Sequence, residues 1–143
     1  LHIMRRRQRQ MCIRDRYDVQ KEGNLVDLRG TFISQHDGSY MFRTVKPQYY
    51  PIPVDGPVGD LLNSLDRHPF RPAHVHFMVK ANGYKDLVTH AFIDGDKYLE
   101  SDTVFAVKKS LIRKLEEGFD EENNSKCFFL NFDIIMESIK KGA

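Results

Sequence analysis

Hydrophobic and polar positions alternate most clearly over residues 73–80, where Val75, Phe77 and Val79 interleave with His74, His76 and Met78. A period of two is the mark of a β-strand that buries one face. Pro72 suits the entrance of such a strand, where no ladder donor is needed. Asn82-Gly83 then turns the chain into a second strand over residues 87–93. Further strands are predicted at residues 17–20 and 28–34. Another, at 40–45, is rich in aromatic and β-branched residues and follows the hairpin signal Asp37-Gly38. Over residues 127–136, Phe128, Leu130, Phe132 and Ile134 would share one face of a strand.

Between these strands the pattern breaks. Pro47, Pro51 and Pro53 oppose regular pairing around Tyr49-Tyr50, so residues 46–72 read as a long loop with a helical turn at 58–64. Loops of that length tend to be functional or disordered. Asp94-Gly95-Asp96 is a loop without the spaced oxygen ligands of an EF-hand. Residues 103–117 fit either helix or strand: Val104, Phe105, Val107, Leu111, Ile112 and Leu115 have fair helical spacing. Residues 118–126 are polar and acidic, a surface loop, and 137–143 a frayed tail. Many short strands with turn signals between them predict an all-β fold, a β-sandwich with short helical turns in its loops.

Composition narrows the class. A chain of 143 residues, 41% hydrophobic and 29% charged, can pack one core. No apolar run is long enough to span a membrane as a helix. Cys12 and Cys127 make neither a disulfide framework nor a metal-type spacing, which suits a reducing cytoplasm. The net charge of +2 conceals an asymmetry: residues 1–16 carry six arginines and one acid, net +5, leaving −3 for the remainder. This leader lacks the apolar core of a secretory signal and reads as an unfolded tail foreign to the domain that follows. A nucleic-acid arm and a transit peptide are the competing readings; the segment has no serine, which a transit peptide favours, and the acidic balance of residues 17–143 argues against a nucleic-acid arm.

The chemistry concentrates at Arg71-Pro72-Ala73-His74-Val75-His76. Residues i and i+2 of a strand lie roughly 6.5–7 Å apart on one face, so two imidazoles at this spacing can reach one metal ion. A strand with two polar residues on its wetter face is an equal reading of the pair alone.

The stretch RTVKPQYYPIPVDGPVGDLL, followed by RPAHVHFMVKANGYKDLVTHAFIDGDKYLESDTVFAVKKSL, closely resembles the intradiol ring-cleaving dioxygenases. Within them it is most similar to the hydroxyquinol 1,2-dioxygenase branch, with the catechol 1,2-dioxygenases next. The resemblance runs from about Tyr17 to Met136. It implies a β-sandwich and one non-haem ferric ion held by two tyrosinates and two histidines: Tyr17, Tyr50, His74 and His76. A phenol of pKa about 10 ionises at neutral pH beside a strong positive charge, and hard anionic oxygen favours Fe(III). The family chemistry implies that a catecholic substrate displaces Tyr50 from iron and that its ring opens between the two oxygenated carbons. Arg71 matches the family's positive group near the substrate; its other reading is a strand-edge salt bridge. Ile52 and Pro53 would line the aromatic slot and Val104 would close it.

His90 follows His76 by fourteen residues. In the family pattern the catechol branch has glutamine near this point and the hydroxyquinol branch histidine. His90 therefore tilts the expectation to hydroxyquinol as substrate, with O2 as co-substrate and maleylacetate as product. A second-layer hydrogen bond or a satisfied core histidine are its other readings. The alternatives are a catechol 1,2-dioxygenase yielding cis,cis-muconate, and an inactive β-sandwich remnant that only binds metal. Family members carry a helical N-terminal dimerisation region and further upstream strands, which residues 1–16 do not resemble. The expectation is thus a truncated catalytic portion, residues 17–136, of a parent that forms homodimers, with no nucleic-acid or membrane partner.

Overall fold

The computed structural model describes residues 30–139, together with the backbone of His2–Arg5. The predicted strand at 17–20 lies outside the described residues. The architecture is all-β with one helix, as expected. Strands are β1 (His2–Arg5), β2 (Gly30–Ile33), β3 (Tyr50–Pro51), β4 (Phe70–Arg71), β5 (His74–Lys80), β6 (Leu87–Ile93), β7 (Ile112–Arg113), β8 (Glu116–Asp120) and β9 (Ser125–Phe129), and helix α1 is Pro57–Ser64. Five strands form one sheet in the order β2-β1-β5-β6-β7. Its centre is the antiparallel β5–β6 pair, turned through Gly83 at φ +81° and registered with His76 opposite His90. The backbone of His2–Arg5, within the basic leader, pairs with both β2 and β5. β7 adds in parallel beside β6.

The alternation along β5 sorts the side chains as the sequence pattern requires. Val75, Phe77 and Val79 are buried with Ala91 of β6, and Tyr40, Phe42, Leu130, Phe132, Ile134 and Met136 pack on that face. The Phe77 ring meets Phe132 at 5.2 Å and the edge of Tyr40 at 6.4 Å between centroids. The Tyr40 hydroxyl donates to the Phe132 carbonyl, and burial, aided by Asp133, pushes its pKa up to about 12.

Two predicted strands take a different form. Of the predicted strand at 127–136, residues 127–129 lie in β9, whereas residues 130–136, like 40–45, supply core side chains with period two but join no regular ladder among the described residues. Periodicity reports which side chains face the core; it does not report whether the backbone meets a partner strand. The predicted surface loop at 118–126 is instead a hairpin, with Glu116 opposite Phe129 and Asp120 opposite Ser125. Phe128 is 46% exposed there and does not share the buried face of Leu130 and Phe132. Both faces of this ribbon are largely polar or exposed, so no alternation marked it. Residues 103–117 hold one 3-10 turn, Lys109–Leu111, before β7 and β8. With Val104 and Phe105 exposed, their helical spacing meets no core.

The long loop is also more ordered than its prolines imply. The two-residue ladder of β3 with β4 sets Tyr50 opposite Arg71, and the Ile52 N–H donates to the Pro69 carbonyl at 2.9 Å. Helix α1 starts on Pro57, whose missing N–H is harmless in a first turn. Gly59 packs so tightly that an added Cβ would lie 2.0 Å from the Val54 carbonyl oxygen. No helix among the described residues is long and apolar enough to cross a membrane.

Phe77 is 2% exposed at the centre of the core. Phe77→Ala should cost about 3–5 kcal/mol of folding stability. Val88→Ala, on the same sheet but 62% exposed, should stay within about 0.5 kcal/mol of the parent. Urea denaturation of the two variants checks the contrast.

Candidate metal centre

The opposite face of β5 and β6 carries His74, His76 and His90. His74 is 2% exposed, and its Nδ1 lies 2.6 Å from the Pro72 carbonyl. A carbonyl only accepts, so Nδ1 carries the proton and Nε2 keeps its lone pair. That Nε2 stands 3.0 Å from Nε2 of His76, 3.4 Å from the Tyr50 hydroxyl and 3.4 Å from Nη1 of Arg71. Cross-strand pairing sets His90 beside His76, ring centroids 4.1 Å apart. One ligand atom from each histidine falls within 4.8 Å of the others. Two imidazole nitrogens bound to one metal at about 2.1 Å and near a right angle would be about 3 Å apart, close to the His74–His76 separation.

The side chains reach this point from four elements, His74 and His76 from β5 and His90 from β6. Tyr50, 2% exposed, comes from β3, and Arg71, 5% exposed, from β4 across the ladder. The Arg71 Nε–H donates to Oδ1 of Asp102 at 3.2 Å. Its Nη2 is buried with no hydrogen-bond partner among the described residues. β5 begins three residues after Arg71, with its entrance fastened by the Ala73 N–H donating to Oδ2 of Asp96 at 3.1 Å and the Ile93 N–H donating to the Ala73 carbonyl.

The surroundings keep the imidazoles neutral. Burial, then the Arg71 charge and the neighbouring histidines, hold His74 well below its ordinary value. Burial, then His90 and Arg71, push His76 down to about 3. Burial and Arg71 lower His90, against the pull of Asp102. Neutral imidazole is the form that ligates a metal.

The fold thus gathers Tyr50, Arg71, His74, His76 and His90 from the sequence-predicted set. Ile52 and Pro53 are half-buried and follow Tyr50 directly. Val104 is 44% exposed, its N–H donating to Oδ1 of Asp102 at 3.3 Å. Tyr17 lies outside the described residues. The residue that sequence reasoning missed is Asp102, buried against Arg71. Its one local signal is an aspartate two residues before an N–H that its own carboxylate can accept, the Asx-turn arrangement.

Comparison with known proteins gives the family and the fold. The family model described as Dioxygenase matches residues 12–138. The chain belongs to the intradiol ring-cleaving dioxygenases. Over 117 residues it is 50% identical to a hydroxyquinol 1,2-dioxygenase of Rhizobium sp. (strain MTP-10005), covering 80% of this chain and 40% of that protein. Over 121 residues it is 60% identical to a 6-chlorohydroxyquinol 1,2-dioxygenase of Cupriavidus pinatubonensis, covering 84% and 42%. The crystal structure of hydroxyquinol 1,2-dioxygenase from Pseudomonas putida DLL-E4 superimposes with a TM-score of 0.82 at 38% identity, over 96% of this chain and 50% of that one. The chain therefore spans about two fifths of the length of the two relatives. The expected fold, the β-sandwich of the intradiol dioxygenases, is the one observed.

These neutral histidines make the metal-free intradiol fold sensitive to acid. Where folded pKa values lie below the usual 6.5, the unfolded chain binds more protons, so stability is complete above about pH 6.5 and falls as pH drops towards 3. Urea midpoints of the metal-free chain should fall between about pH 7.5 and pH 5, and His76→Ala should flatten that dependence.

Proposed function

We propose that this chain is the iron-holding portion of a non-haem Fe(III) hydroxyquinol 1,2-dioxygenase, which cleaves benzene-1,2,4-triol with O2 to give maleylacetate. The observation that carries the reading is the convergence of a buried phenol, two neutral imidazoles and a buried guanidinium on one point of the β5–β6 face. The donor set fits ferric iron. Tyr50 offers a hard oxygen that becomes anionic when it ligates, His74 and His76 offer nitrogen, and Tyr17 is the second tyrosine of the proposal. Asp102, the nearby carboxylate, is committed to Arg71.

When bound, the ferric ion supplies Lewis acidity and the activation of the catecholate toward O2. The protein's own groups do the rest. His74 is aimed by its Nδ1–H bond to Pro72, so Nε2 keeps one direction through turnover. Tyr50 Oη would hold the ion as a tyrosinate and, when free of it, would accept a proton from a substrate hydroxyl. The Arg71 guanidinium sets a fixed positive charge beside the ring, where electron density builds as the ring is attacked. Ile52 and Pro53 line the apolar slot and Val104 borders it. His90 bonds the third hydroxyl, which makes the site discriminate against a diol lacking it. Substrate and O2 are the small-molecule partners.

The visible spectrum of the iron-loaded protein tests the ligands. Tyrosinate-to-iron charge transfer should colour it reddish, Tyr50→Phe should bleach part of the band, and His76→Ala should lower iron content. A colourless protein at full iron occupancy would overturn the ligand set. For substrate, kcat/KM should favour hydroxyquinol over catechol by at least about tenfold, and the reverse preference would move the chain to the catechol branch.

A further inference from the structure

The buried carboxylate of Asp102 has no part in the chemistry proposed above, yet three loop amides and two guanidinium groups converge on its residue. Oδ1 accepts the Arg71 Nε–H at 3.2 Å and the Val104 N–H at 3.3 Å. Oδ2 accepts the Ala106 N–H at 2.9 Å. The Asp102 carbonyl accepts the Phe105 N–H at 3.0 Å and an Arg67 Nη2–H at 3.4 Å. Phe105 holds φ at +54°, a left-handed backbone that a bulky residue seldom adopts, with the Arg67 guanidinium 4.1 Å over its ring. A turn held in that form is built for the contacts it makes.

The form of the Arg71 contact is informative. Arginine and carboxylate commonly pair through two parallel bonds, which occupy two guanidinium nitrogens at once. Here Oδ2 is drawn away by Ala106, and Asp102 holds Arg71 through Nε. Neither terminal nitrogen is taken by the carboxylate: Nη1 lies 3.4 Å from Nε2 of His74, and Nη2 is buried without a partner among the described residues. The backbone ladder with Tyr50 fixes where Arg71 starts, but the torsions of a long side chain leave the direction of its head open. The carboxylate closes that freedom, and its charge offsets that of a guanidinium buried beside a cationic centre.

We infer that Asp102 is a positioning residue that grips Arg71 by Nε alone and so keeps Nη2 directed to an anionic oxygen of the bound catecholate. The inference rests on the proposed dioxygenase reading for the identity of that ligand. Its test is anaerobic titration of the iron-loaded chain with hydroxyquinol, followed by the catecholate-to-iron band. Asp102→Asn should keep the iron content and tyrosinate band of the parent and bind hydroxyquinol at least about tenfold more weakly. In an Arg71→Gln background the same change should have no further effect, because Asp102 acts through Arg71. Unchanged affinity with an intact band, or additive losses in the double variant, would overturn the inference. Asp102→Glu keeps the charge that the buried guanidinium requires but displaces the carboxylate by a methylene. It should weaken binding by a similar factor even if Asp102→Asn fails to fold, and parental affinity would count against the role. If the parent itself shows no tyrosinate band, the dioxygenase reading fails instead. The grip is then read on the metal-free chain as phenylglyoxal modification of Arg71: faster in folded Asp102→Glu if the role holds, unchanged if it does not.

Discussion

The structure depends on the two-residue period of β5 being held in register. Val75, Phe77 and Val79 enter the core because His74 and His76 do not, and a slip of one residue would exchange the two sets. Three apolar side chains, each worth about 1.5–3 kcal/mol when fully buried, hold the strand against that slip. The same register sets His90 opposite His76 on the other face. The packing that stabilises the sheet therefore also aims the imidazoles.

On the imidazole face electrostatics governs. Burial and the Arg71 charge suppress protonation of all three histidines. A guanidinium in such a place needs a counter-charge, and Asp102 supplies it with both side chains almost wholly buried. Breaking a buried pair by removing one partner typically costs about 3–5 kcal/mol, because the charge left behind has no compensation. The cluster is consequently rich in lone pairs and donors and poor in free negative charge, which suits the tyrosine oxygen proposed as its anionic ligand.

The connections place these groups as much as the strands do. β3 and β4 are two residues each, yet their pairing sets Tyr50 across from Arg71 at the two ends of a loop that includes α1. The Asp96 and Asp102 carboxylates each fasten loop amides. Rigid side-chain caps of this kind let loops carry chemistry on a sheet that stays fixed.

The sequence by itself determined β5, β6 and the two-histidine face, because alternation is a local property of consecutive residues. It also pointed to Tyr50, Arg71 and His90 through motif and order, and to a helical turn at 58–64, which lies within α1. Tertiary structure alone decided the rest. Residues 40–45 and 130–136 read as strands but pack without regular ladders, since side-chain period says nothing of a distant backbone partner. The pairing of β8 with β9 has no local signal, because a ribbon largely exposed on both faces has no hydrophobic alternation to display. Asp102 lies thirty-one residues from Arg71, and nothing local to either residue specifies the other. Their pairing arises because folding buries a guanidinium and a carboxylate together, and each makes the burial of the other tolerable.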